Sequence, residues 1–231
     1  MARIRLALLG VLAVVAVSAL ASTSASAAEC PDTVKGGDVA LCIEGKEATD
    51  GTYPFTSVKK AGTKSELKAE GGPHITCNKA KNTGEFEVKD NGNPQLEVSD
   101  LSIEFSEKCE VTNAKEECEV KEPILANGGG DGIDGVVTKT DEVTLKPSQG
   151  TSFATIELKS RPGHICFFPS TTNVEGEQVV RLPGSTTEAT KHEIVAEPSG
   201  SKLKAFGFTA TFELTEEMEL TSKKVFSLQE S

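Results

Sequence analysis

A glycine-rich stretch at residues 127–137, NGGGDGIDGVV, is the part of the chain whose spacing comes closest to a metal-binding motif. From Gly129 it fits G-G-x-G-x-D-x-U-x, the calcium-binding nonapeptide of β-roll proteins, which stack several copies. Calcium takes about six to eight oxygen ligands, and this single copy offers Asp131, Asp134 and backbone carbonyls. We therefore interpret residues 129–137 as a mobile glycine loop, leave calcium binding there as the alternative, and assign no metal-binding residue.

The cysteines form the second group of residues with chemical potential: Cys30, Cys42, Cys77, Cys109, Cys118 and Cys166. In an oxidising compartment six such residues form disulfides, with about 15 arrangements available. Proximity along the chain predicts the pairs Cys30–Cys42, Cys109–Cys118 and Cys77–Cys166, the Cys109–Cys118 pair flanking the polar turn EVTNAKEE.

Two histidines stand close to cysteines, His74 in GGPHITC and His164 in RPGHIC. Two histidines and two cysteines are one of the ligand sets that hold zinc. The spacing fits no standard zinc finger, and an oxidising compartment converts thiols to disulfides. We favour a structural interpretation, in which both histidines lie near the surface where two buried strands begin and a disulfide joins those strands.

Residues 150–154, GTSFA, partly match the G-x-S-x-G turn of serine hydrolases. That turn requires a strand before it and a helix after it, whereas here a turn precedes, the strand-like FATIEL follows, and the fifth residue is Ala154. The chain has 35 acidic residues and three histidines, but no spacing among them satisfies the requirements of a catalytic site. We predict no catalytic residue, no cofactor and no enzymatic activity.

The elements that carry these residues read almost entirely as short β-strands with alternating apolar and polar positions. The strand-like runs are VALCI, YPFTSV, GEFEVKD, QLEVSDLSIEF, VVTK, DEVTLKP, FATIEL, HICFF, EQVVRL, KHEIVAE and KLKAFGFTATFELTEEMEL, with turns such as NGNP and PSGS between them. The pattern predicts an all-β fold: an antiparallel β-sandwich or barrel of about a dozen strands, stapled by disulfides and with little helix.

Two runs have features of their own. In QLEVSDLSIEF the apolar positions change parity at Ser99 and Asp100, which predicts a bulge, a bend or the start of a new strand. The last run is the longest amphipathic strand, and its apolar positions are Phe206, Phe208, Ala210, Phe212 and Leu214. Its end, TEEMELTSKK, and the earlier KEATDG are the best helical candidates.

Residues 1–28 have the composition of a signal peptide. Arg3 and Arg5 precede an apolar stretch, LALLGVLAVVAVSAL, and small residues follow it; the apolar stretch is shorter than the ~20 residues of a spanning helix. The predicted organisation is a signal peptide at 1–28, a disulfide-containing segment at 29–52 and a β-rich domain at 53–231. We expect a secreted protein, extracellular or associated with the cell wall, without membrane contact after cleavage.

Charge and aromatic content narrow the partners. The chain has 24 basic and 35 acidic residues, a net charge of −11, which argues against nucleic acid as a partner and favours a soluble monomer. It has ten Phe, one Tyr and no Trp, a composition suited to a core rather than to stacking of sugar rings. The remaining candidate partners are the cell wall and a small molecule.

The order of strands and cysteines resembles a known pattern: ITC, TGEFEV, LSIEFSEKC, a further Cys, VTLKPSQGTSFATIEL, HIC and GEQVVRL. It is similar to that of a large, uncharacterised family of exported, cysteine-containing β-rich proteins of high-GC Gram-positive soil bacteria, over roughly residues 55–183. The chain departs from the pattern at KSRPGHIC and at GGGDGID. The resemblance implies an exported β-rich domain and transfers no functional residue.

Three functions remain on these grounds. The first is a secreted or wall-associated β-domain with a structural or binding role. The second is a carrier of a small apolar ligand inside a β-barrel, whose cavity the C-terminal phenylalanines would line; ordinary burial in a core is the alternative role for those residues. The third, which the sequence favours least, is a secreted hydrolase.

Overall fold

The structure is a computed structural model that describes residues 29–30, 39–89 and 95–230. The predicted signal peptide and the predicted NGNP turn lie outside the described residues. Within them, no helix is both long enough and apolar enough to cross a membrane.

Seventeen β-strands and one 3-10 turn make up the described chain. They are β1 (Val39–Ile43), β2 (Lys46–Glu47), β3 (Gly51–Lys59), β4 (Ser65–Ala69), β5 (His74–Thr76), β6 (Lys79–Lys89), β7 (Gln95–Ser106), β8 (Glu110–Val111), β9 (Cys118–Val120), β10 (Ile124–Ala126), the 3-10 turn (Gly128–Gly130), β11 (Ile133–Lys139), β12 (Glu142–Pro147), β13 (Ser152–Ser160), β14 (Thr171–Arg181), β15 (His192–Ala205), β16 (Phe208–Leu220) and β17 (Phe226–Glu230).

Eight of these strands close into an antiparallel barrel. The order around it is β14, β12, β11, β7, β6, β3, β16 and β15, and β15 pairs again with β14. Closure leaves no free edge in this ring, and alternate residues of each strand point inward. The all-β antiparallel fold predicted from the alternation is confirmed, as a barrel with added strands.

The barrel wall divides because two long strands change partners along their length. One edge of β7 pairs first with β11 and then with β10, and one edge of β14 pairs with β13 and then with β12. In β7 the register against β6 shifts next to Asp100, whose φ is 51°. The parity change in the sequence is therefore a β-bulge in a continuous strand, one of the predicted alternatives.

Further strands extend this framework. Strand β4 pairs with residues 210–214 of β16, β5 pairs with β4, and β8 pairs with β5. Strand β1 pairs with β17 along five residues and with β2 on its other side. Val39 and Leu41 of β1 and Leu228 of β17 are buried in the same hydrophobic core as the barrel residues.

All six cysteines are in disulfides, but two of the three predicted pairs are wrong. Cys30 is bonded to Cys42 as predicted, whereas Cys77 is bonded to Cys109 and Cys118 to Cys166. Pairing of β5 with β8 brings Cys77 and Cys109 to a Cα separation of 4.1 Å. Pairing of β9 with β13 brings Cys118 beside the segment that carries Cys166. Cys109, just before β8, and Cys118, the first residue of β9, are thus close in sequence, but their strands pair with different partners.

Two predicted strands are also corrected. The run HICFF is a loop, in which the side chains of Ile165 and Phe167 are 67% and 78% exposed. The long C-terminal run is two strands, β15 and β16, joined by Phe206 and Gly207 with φ values of 55° and 82°. Positive φ at both residues is the geometry of a tight two-residue hairpin turn, and it leaves Phe208 exposed rather than in the core.

The predicted turn PSGS and the two helical candidates are strand or loop. PSGS lies within β15, where the register against β16 shifts between Ala196 and Leu203. KEATDG holds the short strand β2, and TEEMEL forms the end of β16.

Candidate ligand-binding site

The interior of the barrel contains a cavity of about 120 Å³. Most of its wall is apolar, from both the closed barrel and the neighbouring strands β10 and β13; among the apolar lining residues are Phe86, Ile103, Ala126, Ala154, Ile194 and Met218. Polar side chains also reach the wall, and Asn82, Gln178 and Glu216 are three of them. A largely apolar cavity with a few polar groups is the usual form of a small-molecule site.

Glu216 is a carboxyl group on the inner face of the barrel. Glu216 lies in β16 between Leu214 and Met218. All three residues are buried, and Glu216 is fully buried. The alternation of side chains along a strand places all three on the same face. A charged residue at such a position is unusual because desolvation of a carboxylate is costly without a partner.

Two neighbouring strands supply hydrogen bonds to this carboxyl. Ser57 of β3 donates through Oγ to Glu216 Oε2 over 2.6 Å. Asn82 of β6, directly opposite Ser57 in register, donates through Nδ2 to the same oxygen. The three side chains form one buried polar cluster, which we call the Glu216 cluster.

Two members of this cluster, Glu216 and Asn82, each have an oxygen without a hydrogen-bond partner. Glu216 Oε1 and Asn82 Oδ1 are buried and accept no hydrogen bond within the described protein. Buried polar atoms are nearly always hydrogen-bonded to protein or to a bound molecule. Gln178, in contrast, is satisfied, because its Nε2 donates to the Val179 carbonyl and its Oε1 accepts from Ser201.

Burial controls the charge of Glu216. Desolvation raises the pKa of its carboxyl to about 7, and the hydrogen bond from Ser57 acts in the opposite direction. No ion pair joins Glu216 to a cation among the described residues, although Lys59 lies directly opposite it in β3. The carboxyl therefore changes charge near neutral pH inside an apolar wall.

The glycine-rich stretch is placed apart from this cluster. Residues 128–130 form the 3-10 turn, and the Asn127 carbonyl accepts hydrogen bonds from the amides of Gly130 and Gly132. Asp131 is exposed in the turn, while Asp134 lies in β11, so the predicted loop at residues 129–137 is wrong from Ile133 onward, where the strand begins. In the part of the chain that the structure describes, no group of three or more His, Cys, Asp or Glu side chains could hold a metal ion.

The two cysteine–histidine stretches are not joined to each other, which corrects the predicted bridge. His74 begins β5 and is half-buried, whereas His164 is exposed in the loop between β13 and β14. The third histidine, His192, is buried, and its Nε2 lies 2.7 Å from the Phe226 carbonyl. The predicted turn before Ser152 and the strand after it are confirmed, so GTSFA lacks the context of a nucleophile turn.

Glu216 was not among the residues singled out from the sequence. It sits in LTEEMEL, where acidic residues occupy both strand faces. The available signal was parity, since Leu214, Met218 and Leu220 place Glu216 on the apolar face. Comparisons with protein-family models, curated proteins and solved structures found no match to this chain.

Proposed function

We propose that this chain is an exported protein that binds a small apolar molecule inside its barrel. The observation that carries the proposal is the apolar cavity with a buried, incompletely hydrogen-bonded carboxyl in its wall. Export is supported by the three disulfides, which indicate an oxidising compartment.

The size of the cavity restricts the ligand. An engineered protein cavity of about 150 Å³ binds benzene, and sites for drug-sized ligands are about 300–1,000 Å³. By comparison with the benzene-binding cavity, a volume of about 120 Å³ suits a molecule of about five or six non-hydrogen atoms. Fatty acids and sterols are too large for the cavity as it stands.

Energetics favour binding over a purely structural interior. An unfilled cavity destabilises a protein by about 24 cal/mol per Å³, or roughly 3 kcal/mol for this volume. Replacing the buried carboxyl by an apolar side chain would remove a second unfavourable contribution. A barrel selected only for stability has no need of either feature, whereas a ligand that fills the cavity offsets the first contribution and one that also hydrogen-bonds to the carboxyl offsets both.

Thermal unfolding tests the proposal. A neutral probe of suitable size, isopentane or benzene, should raise Tm in a concentration-dependent way. At a concentration about one hundred times Kd the stabilisation is about 2.7 kcal/mol, which corresponds to a rise of roughly 5–10 °C for a chain of this size. No rise with any small probe, charged or neutral, would contradict the proposed function.

A cavity-filling variant provides the matched comparison. Ala126 and Ala154 lie directly opposite each other in β10 and β13, and both line the cavity. The double variant Ala126→Val/Ala154→Val places four methyl groups there in place of two. It should abolish the ligand-induced rise in Tm. Ala61→Val, in an exposed turn, should leave it unchanged.

A further inference from the structure

Asn82 and Glu216 both line the cavity, and each has a buried oxygen that accepts no hydrogen bond within the described protein. Glu216 Oε2 is already shared by Ser57 and Asn82, while Glu216 Oε1 and Asn82 Oδ1 remain open. The hydrogen bond between Asn82 Nδ2 and Glu216 Oε2 keeps the two amide and carboxyl groups adjacent, so the open oxygens belong to one small region of the wall. A ligand group with two or more donors on one atom can satisfy both of these oxygens at once.

The cluster also lacks a positive charge. The ionised carboxylate would be buried without a cation, because the described ion pairs do not include Glu216. A buried carboxylate is stabilised when an opposite charge and hydrogen bonds accompany it. An alkane supplies neither and an alcohol supplies one donor, whereas an ammonium group supplies three donors and the charge.

We infer that the ligand of the cavity is a small aliphatic primary amine, whose ammonium group donates to Glu216 Oε1 and Asn82 Oδ1 while its alkyl group fills the apolar space. This inference rests on the proposed function and names the ligand class for the same cavity. Proton and amine then compete for one carboxylate. Amine affinity should fall roughly tenfold per pH unit below about pH 7, where the carboxyl is protonated.

Two other titratable side chains face the same region and must be separated from Glu216. Lys59 lies opposite Glu216 in β3, and His192 lies opposite Met218 in β15. Facing positions on β6 and β15, Asn82 and Ile194, do not titrate. The pH profile therefore has to be measured with and without the Glu216 carboxyl.

Three isosteric probes test the inference on the full chain with its disulfides intact: isobutylamine, isobutanol and isopentane. Calorimetric titration at pH 8 should give isobutylamine at least roughly tenfold higher affinity than the two neutral probes. Glu216→Gln, which retains the size of the side chain, should abolish that preference, measured as the ratio of isobutylamine affinity to isopentane affinity, together with its pH dependence. Asn82→Leu, which removes the open Oδ1 acceptor together with the Nδ2 donor to Glu216, should reduce the preference and serves as a second variant if Glu216→Gln does not fold.

The outcomes separate the two proposals. If isopentane binds and isobutylamine binds no better, the amine inference is overturned and the proposed function stands. That result is expected if a protonated Glu216 instead donates to Asn82 Oδ1, or if a permanently bound water satisfies both oxygens. If no probe binds, both are overturned. A pH profile that persists in Glu216→Gln would show that another group causes it and would overturn the inference as well.

Discussion

A single side chain, Glu216, connects the stability of this barrel to pH. The ordinary pKa of the group is 4.5 and burial raises it to about 7 in the folded protein. The folded state therefore holds a proton that the unfolded state has lost between these values, so this contribution to stability is fully present below about pH 4.5 and is lost as pH rises to about 7. Without ligand, Glu216→Gln should remove a loss on the order of 3 kcal/mol, measured by urea unfolding at pH 5 and pH 8.

The neighbouring acid gives the control for that measurement. Glu217 is on the outer face of the same strand and forms an ion pair with Lys191, so Glu217→Gln should leave the decline with pH in place. Equal pH profiles of stability for the wild type and Glu216→Gln would contradict the assignment.

The sequence alone contained the parity that buries Glu216 but did not identify its hydrogen-bond partners, because Ser57 and Asn82 come from strands whose register only the closed barrel defines.

At the scale of elements, two glycines distinguish backbone strain from steric conflict. Gly207, in the turn between β15 and β16, has φ of 82° and nothing within 4 Å of an added Cβ. Gly176 in β14 has φ of 120°, and an added Cβ would lie 2.1 Å from the Lys202 carbonyl oxygen of β15. Gly207→Ala should cost about 1 kcal/mol through conformation alone, and Gly176→Ala should cost clearly more, as chemical unfolding would measure.

Ala205→Gly, next to the same turn but without positive φ, would show how much of the Gly207 effect is specific to that backbone geometry. Equal losses of stability for Gly176→Ala and Gly207→Ala would contradict the steric account.

Alternation of apolar and polar residues predicted most of the strands correctly, including the bulged β7. It failed at Phe206 and Gly207 because an apolar turn residue preserves the alternating pattern through a reversal of direction. It failed at HICFF because a disulfide holds Cys166 in a loop, so apolar neighbours there need no strand to position them.

The arrangement of disulfides belongs to the whole molecule, since two of the bridges, Cys77–Cys109 and Cys118–Cys166, join segments that are distant in sequence. Removing Cys77–Cys109 or Cys118–Cys166 by paired alanine substitutions should destabilise the protein by roughly 4 kcal/mol in each case, from the lengths of the loops they close. Denaturant unfolding of the two double variants would measure both losses.

A third double variant tests connectivity directly. Cys109→Ala/Cys118→Ala breaks both bridges and should yield two free thiols on labelling, at Cys77 and Cys166. The pairing predicted from the sequence would give no free thiol, and the control Cys30→Ala/Cys42→Ala should also give none.

Cysteine spacing was sufficient to predict disulfides but not their partners, because the pairings of β5 with β8 and of β9 with β13 decide which sulfur atoms meet.

Pairing of β1 with β17 gives the chain a particular order of assembly. Residues 39–43 must wait for residues 226–230 before the edge of β1 opposite β2 is paired. Contacts so distant along the chain slow folding. If the protein is exported as we propose, β1 can pair with β17 only after residues 226–230 have crossed the membrane.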